Sequence, residues 1–466
     1  MANTIAQNDK NKLATAPLGR LMAELAIPTV FAQLVNLLYN MVDRIYVGRI
    51  PETGTLALAG LGVSFPIIIL ISAFAGLVGM GGAPQAGIAM GKQDYDKAER
   101  ILGSSTAFLI IMSICLCGFF YLFKRPILMM FGASESTIPY ADSYLGIYLL
   151  GTISVQIAMG LNQFISCQGF AKTSMMTVLI GAVANIILDP IFIYGLHMGV
   201  KGAALATIIS QTISAVWVFL FLCGKKTLLK IRRKNLKVDF SVLAPVLALG
   251  ISPFIMQSTE CLVQLTFNTG MQKYGNDYFV GAMTIMFSVS QMLFLPIQGL
   301  SQGGMPIISY NYGAGNIDRV KKAFKLLFTT SLGFSLCATG IILLFPKVFV
   351  SLFSSDPEII RIGTYGIRIY CLGFTLFGAQ CACQQTFIAL GQAKISMFLA
   401  LLRKIILLIP LAIILPKIAG LGTNGLFLAE PISDFLAIFT TVTLFALNIN
   451  KILNGMEKKP DTQPKK

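Results

Sequence analysis

The sequence predicts an all-α membrane protein, with twelve transmembrane helices in two pseudo-symmetric six-helix bundles. Three observations predict it. Only 12% of the 466 residues are charged and 55% are hydrophobic, where soluble domains carry about 25% charged residues. The apolar residues fall in runs of about 20 or more, the length that crosses a bilayer as a helix, and not in the ~10-residue alternating segments of a membrane barrel. The second half of the chain also repeats the first.

In chain order the runs lie at 22–48, 56–88, 101–123, 138–166, 172–196, 200–223, 243–271, 279–309, 325–346, 362–390, 396–416 and 423–449. Several contain Gly or Pro, which spanning helices tolerate when neighbours satisfy the freed backbone groups. The expected organisation is a cytoplasmic tail over 1–21, an N-terminal lobe over 22–224, a basic cytoplasmic linker over 225–240, a C-terminal lobe over 241–450 and a second cytoplasmic tail over 451–466. The cations set the orientation. With the N-terminus inside, about two-thirds of the 36 Lys and Arg fall in cytoplasmic segments, and the opposite side receives only Arg49, Lys124, Arg125, Lys201, Lys273, Lys347, Arg361 and Lys417. This bias predicts a multi-pass protein of the cytoplasmic (inner) membrane with both termini in the cytoplasm.

The net charge of +16 is therefore topological. The run from Lys225 to Lys237 sits between two spans and lacks interleaved aromatics, so it suits anionic lipid headgroups better than nucleic acid. The nine cysteines lie in or beside apolar runs with no CxxC spacing, and His197 is the single histidine. Neither a disulfide framework nor a bound cofactor is expected.

The repeat has a nearly constant offset. Phe131, Tyr148 and Gly151 pair with Phe353, Tyr370 and Gly373; Gln163, Gly169, Ala171 and Lys172 pair with Gln385, Gly391, Ala393 and Lys394; Gly199, Gly202 and Ala206 pair with Gly422, Gly425 and Ala429. Six helices thus recur as six more. Because six is even, both halves cross the membrane in the same sense. Secondary transporters built from such repeats hold substrate between the halves and rock them for alternating access.

An ionisable group at bilayer depth marks a functional site by default. The first span carries Gln33, Asn36, Asn40 and Asp43 on one helical face, and the seventh carries Gln257, Glu260, Gln264 and Asn268, the first three at the positions that correspond to Gln33, Asn36 and Asn40. Such a polar stripe faces protein or water rather than lipid. In the fifth span Asn185 and Asp189 are one turn apart before Pro190, which removes a backbone donor and bends the helix. Their oxygens, with the hydroxyl of Thr207 on the sixth span, suit a hard cation or an exchangeable proton. Glu430 and Asp434 are one turn apart on the twelfth span, with Arg403 on the eleventh as a candidate counter-ion. Tyr39, Phe254, Met256, Phe267, Met283, Met286, Phe287 and Met292 suit a loose site for apolar cations.

Together these residues resemble the multidrug and toxic compound extrusion (MATE) family, within the wider group that includes polysaccharide and lipid II flippases. The resemblance runs from about residue 15 to 450. It rests on the polar first span ending in Asp43, on Gly91-Lys92-Gln93-Asp94, Gln168-Gly169 and Asn185-x-x-x-Asp189-Pro190, and on Gly199-Val200-Lys201-Gly202-Ala203-Ala204 with Thr207 and Glu260. The bacterial multidrug-pump branch is the most similar. The resemblance implies drug efflux driven by H⁺ or Na⁺, with cation coupling at Asp43, Asn185, Asp189 and Thr207, where Na⁺ would also sit. It implies substrate binding by Glu260, alongside Gln33, Asn36, Tyr39, Asn40, Met256, Gln257 and Gln264. One branch has an acid on the tenth helix, and residues 362–390 here have none, which favours coupling in the N-terminal lobe. Glu430, Asp434 and Arg403 are secondary candidates. The expected partners are amphipathic, mostly cationic small molecules and membrane lipid, with the protein as a monomer and no nucleic acid. The alternative is a flippase for a lipid-linked saccharide or peptidoglycan precursor. Its pyrophosphate would call for several Arg or Lys in the cavity, and the two stripes carry acids instead. No nucleophile–base pair or P-loop is present, so neither an enzyme nor ATP coupling is expected.

Overall fold

The computed structural model describes residues 12–457. The outer parts of both expected tails, 1–11 and 458–466, lie outside the described residues. Among the described residues there is helix and no strand.

Ten helices are each long and apolar enough to cross a membrane. They are α1 (Leu18–Gly48), α2 (Leu56–Gly91), α3 (Tyr95–Met130), α5 (Ala171–Gly195), α6 (Val200–Cys223), α7 (Phe240–Tyr274), α8 (Asp277–Gly313), α9 (Ile317–Leu344), α11 (Ala393–Ile418) and α12 (Thr423–Gly455). Two bent pairs complete the set of twelve: α4 (Ile138–Leu150 with Thr152–Cys167, 62°) and α10 (Pro357–Thr375 with Phe377–Ala389, 41°). Large apolar side chains such as Leu122, Met130, Leu344 and Phe439 stand more than 70% exposed along these helices. In a spanning protein such faces meet lipid.

The bends belong to the repeat. Gly151 lies at the break in α4, and its partner Gly373 lies in the 3₁₀ turn Cys371–Thr375 of α10. A Cβ on Gly151 would come within 2.6 Å of Ile208, and one on Gly373 within 2.6 Å of the Asp434 carboxylate. Glycine is what lets the bent helix lie directly against its neighbour. α3 begins ahead of the apolar run that locates it, because Asp94 caps its first turn by accepting from Lys97 N at 3.0 Å. A capped polar turn extends a helix beyond what hydropathy marks.

The chain divides into two compact units. Within the described residues the first comprises 24–87 and 94–258, and the second comprises 12–23, 88–93 and 259–457. The boundary between Ser258 and Thr259 falls inside α7. The first unit's core gathers Ile67, Ile71, Leu128, Leu145 and Leu149. The second is built around Phe267, Met283, Met286, Phe377 and Phe427. Phe267, Met283 and Met286, candidates for a substrate cavity, are thus fully buried core residues.

In the first unit α2 meets the start of α7 backbone to backbone. A Cβ on Gly81 would lie 2.1 Å from Val246 O, and one on Gly250 would lie 1.7 Å from Leu77 O. Small residues at a crossing allow this approach where no hydrophobic force drives helices together in lipid.

The basic linker is folded onto the first unit. Gln168 Oε1 accepts from Thr227 Oγ1 at 2.9 Å, Leu228 N at 2.8 Å and Leu229 N at 2.9 Å. Arg232 pairs with Glu99 at 2.7 Å, and Arg100 pairs with Asp239 at 2.6 Å. Hydrogen bonds from Ser241 and Arg100 hold the exposed Asp239 carboxyl down at about 2.

Candidate functional site

The first unit assembles a buried polar cluster of four residues from three helices. Asp43 comes from α1, Asn185 and Asp189 from α5, and Thr207 from α6. All four are buried, with Asp189 at 0% exposure. The one-turn spacing on α5 directs Asn185 and Asp189 the same way, and Asn185 Nδ2 donates to Asp189 Oδ1 at 3.3 Å and to Thr207 Oγ1 at 3.5 Å. The α-helix of α5 ends at Pro190 and continues as a π-helical turn, Ile191–Gly195. Thr207 donates to Ala203 O at 3.0 Å, so its hydroxyl oxygen is oriented to accept from Asn185. From α4, Tyr144 lies beside Thr207 and stacks on Tyr148, with ring centroids 6.2 Å apart.

The Asp43 and Asp189 carboxyls come within hydrogen-bonding reach of each other. Three buried oxygens of the cluster, Asp43 Oδ1, Asn185 Oδ1 and Asp189 Oδ2, meet no hydrogen-bond donor among the described residues. A buried acceptor left unpaired costs about 1–3 kcal/mol, and a cation or a proton is the kind of partner that would satisfy such oxygens. All the oxygens are hard donors, the type that alkali and alkaline-earth ions take. Arg44, the next residue along α1, lies over the Phe65 ring at 4.7 Å.

The carboxyl cluster is not repeated. At the repeat offsets, the positions of Asp43, Asn185 and Asp189 are held by Phe267, Leu407 and Leu411, and that of Thr207 by Glu430.

The second unit holds a different cluster. α11 becomes π-helical over Leu402–Leu408, and both adjacent cations of that stretch are buried, Arg403 at 5% and Lys404 at 7% exposure. Arg403 Nε meets Asp434 Oδ1 at 2.8 Å, and its NH2 lies 3.6 Å from Glu430 Oε1. Its guanidinium lies over the Phe377 ring at 4.5 Å. Lys404 Nζ pairs with Glu260 Oε2 at 3.1 Å. Three carboxylates thus share two cations.

Of the residues named for substrate, Tyr39 joins the first unit's cluster, within electrostatic reach of Asp43 and Asp189 and beside Gln211. Asn40 Nδ2 donates to Asn36 O, one turn back on its own helix, at 2.6 Å. Gln257 Nε2 lies 3.8 Å from Met80 Sδ. Gln33, Asn36, Met256 and Gln257 belong to the first unit, and Glu260 and Gln264 to the second; all are half-buried. Sequence reasoning missed Tyr144, Tyr148, Gln211 and Lys404. Lys404 carried a usable signal: a second cation in an apolar helix, where three intramembrane acids outnumbered Arg403.

A twelve-helix, repeat-built membrane protein with charged clusters buried inside both units is a secondary-transporter architecture. The chain belongs to the MatE family, whose model matches it twice, over residues 28–191 and 253–414. The Multidrug export protein MepA of Staphylococcus haemolyticus is 28% identical over 91% of this chain and 93% of its own length. That of Staphylococcus aureus strain NCTC 8325 is 25% identical over 87% and 89%. Among solved structures, a multidrug resistance MATE family transporter of the MOP superfamily in an outward-facing conformation superimposes with a TM-score of 0.88. It is 21% identical, over 95% of this chain and 98% of that one.

Proposed function

We propose that this protein is a cation-coupled antiporter of the cytoplasmic membrane that expels amphipathic, mostly cationic drugs by alternating access. Relatives that match nearly end to end carry the name of multidrug export proteins. The observation that carries the coupling reading is the buried Asp43–Asp189 pair with its unpaired oxygens.

Two adjacent carboxyls in a desolvated site resist ionising together. They settle either by sharing a proton or by holding a cation between them. Protonation from the external side would weaken cation and substrate binding and reset the carrier. Asn185 and Thr207 supply the remaining oxygens for Na⁺, so the same residues serve H⁺ and Na⁺ as coupling ion. Glu260 offers its carboxylate to the substrate cation, with Gln264 as an adaptable amide beside it in the second unit; Tyr39, Met256, Gln33, Asn36, Asn40 and Gln257 are the substrate-binding candidates of the first unit. Glu430, Asp434 and Arg403 form a charge network in the second unit that stays occupied by its own guanidinium. The work is transport without covalent chemistry or a cofactor. The protein acts as a monomer in lipid with both termini cytoplasmic, and its partners are its small-molecule substrates.

A flippase for a pyrophosphate-linked precursor would need unpaired cations. Arg403 and Lys404 are instead outnumbered by Glu260, Glu430 and Asp434.

The test is ethidium efflux from energised cells. Asp43→Asn and Asp189→Asn, which keep volume and remove the charge, are each expected to abolish it with the protein still in the membrane. Efflux at the wild-type rate in both variants overturns the coupling role.

A further inference from the structure

The second unit's charge cluster is graded in exposure. The Glu260 side chain is 35% exposed, while those of Lys404, Arg403, Glu430 and Asp434 are between 1% and 9%. Glu260 is the only member that a molecule arriving from outside the unit reaches directly. Its carboxylate is already engaged, at 3.1 Å, by an ammonium anchored in the interior.

We infer that Lys404 is a specificity-determining residue, a tethered cation that occupies Glu260 until a substrate cation displaces it. The inference rests on the reading of Glu260 as the substrate acid and adds what competes there.

A displaced ammonium needs another anion, since a buried unpaired charge is costly. Glu430 provides one. Its Oε2 is buried and meets no hydrogen-bond donor among the described residues. Glu430 also lies within electrostatic reach of both Lys404 and Glu260. Arg403 holds the other oxygen of Glu430 at 3.6 Å, so Oε2 is the oxygen left for Lys404. Asp434 is held more closely by Arg403, at 2.8 Å. Lysine suits this exchange because its ammonium is a point charge on a flexible stem, whereas a guanidinium grips a carboxylate with a rigid two-pronged fork.

Two consequences follow. A substrate ammonium or delocalised cation gains only the difference between its own attraction to Glu260 and that of Lys404, so the protein favours well-placed cations over any stray one. Substrate arrival also moves a positive charge inward toward Glu430, which links substrate binding to α12.

Ethidium is the probe, with its binding to the purified full-length protein followed by fluorescence anisotropy. The expected order of affinity is Lys404→Gln tightest, wild type next and Lys404→Arg weakest. Each step is about three- to tenfold, the size expected of a partly exposed ion pair. In Glu260→Gln, binding weakens, and adding Lys404→Gln to it gives no further change. A residue that merely supports the fold would weaken binding in both Lys404 variants. That result, or unchanged affinity in both, overturns the inference while leaving Glu260 as the substrate acid if Glu260→Gln still weakens binding. Unchanged affinity in Glu260→Gln overturns the underlying reading itself. Lys404→Arg keeps the charge and the ion pair, so it alone decides the matter if the glutamine variant does not fold: affinity equal to or above wild type contradicts the competition.

Discussion

At the scale of residues, the functional information sits in a few intramembrane acids, and their surroundings divide them into two kinds. Asp43 and Asp189 lie beside each other with oxygens that no donor among the described residues satisfies. Glu260, Glu430 and Asp434 are tied to cations of α11. On the proposed reading, the first kind takes up and releases the coupling charge and the second exchanges partners. Glu260→Gln is therefore expected to reduce efflux of ethidium several-fold and to leave neutral amphiphiles nearly unaffected, as parallel efflux rates in one strain will show. Equal losses for both would remove its substrate role. The acids were legible in the sequence because charge inside an apolar run stands out. Their partners were not equally legible. The Asn185–Asp189 contact follows from one-turn spacing, whereas Tyr144–Thr207 and Lys404–Glu260 join different helices and follow only from the packing. Phe267, Met283 and Met286 illustrate the opposite error: residue types that suit a drug cavity are also the types that fill a core, and here they fill one.

At the scale of elements, hydropathy located all twelve spans but not their bends, because a bend at Gly151 or Gly373 leaves apolarity unchanged. The same holds for the π-helical stretch of α11, which hydropathy does not register and which coincides with the charge cluster. The α2–α7 crossing depends on Gly81 and Gly250 having no side chain. Gly250→Val forces backbones apart by more than a side-chain adjustment can absorb. It is expected to destabilise the protein by about 1–3 kcal/mol or more, seen as a clear fall in the thermal midpoint of the detergent-solubilised protein. A midpoint unchanged from wild type would show that the contact is not tight. The linker's docking is likewise testable. Gln168 gathers three donors from Thr227, Leu228 and Leu229. Gln168→Ala leaves the Leu228 and Leu229 amides unsatisfied, and cleavage by trypsin between Lys225 and Lys237 is expected to accelerate markedly. An unchanged cleavage rate would mean that the ion pair of Arg232 with Glu99 holds the segment alone.

At the scale of the whole molecule, the repeat in the sequence gives the helix order, the paired bends and the twofold match to the MatE family. It does not give equal chemistry. Where the first unit places Asp43, Asn185 and Asp189, the second has Phe267, Leu407 and Leu411, and it keeps its own acids occupied with Arg403 and Lys404. The duplicated scaffold thus carries different chemistry in its two halves, unpaired carboxyls in one and ion-paired carboxylates in the other. The role proposed for the carboxyl pair of the first unit is to convert an ion gradient into drug movement. The most direct measurement is ethidium flux in proteoliposomes under an imposed pH gradient and, separately, an imposed Na⁺ gradient, for the wild type, Asp43→Asn and Asp189→Asn. At least one gradient is expected to drive flux in the wild type and neither in the variants, with ethidium still bound by all three proteins. Gradient-driven flux at the wild-type rate in both variants would contradict the account.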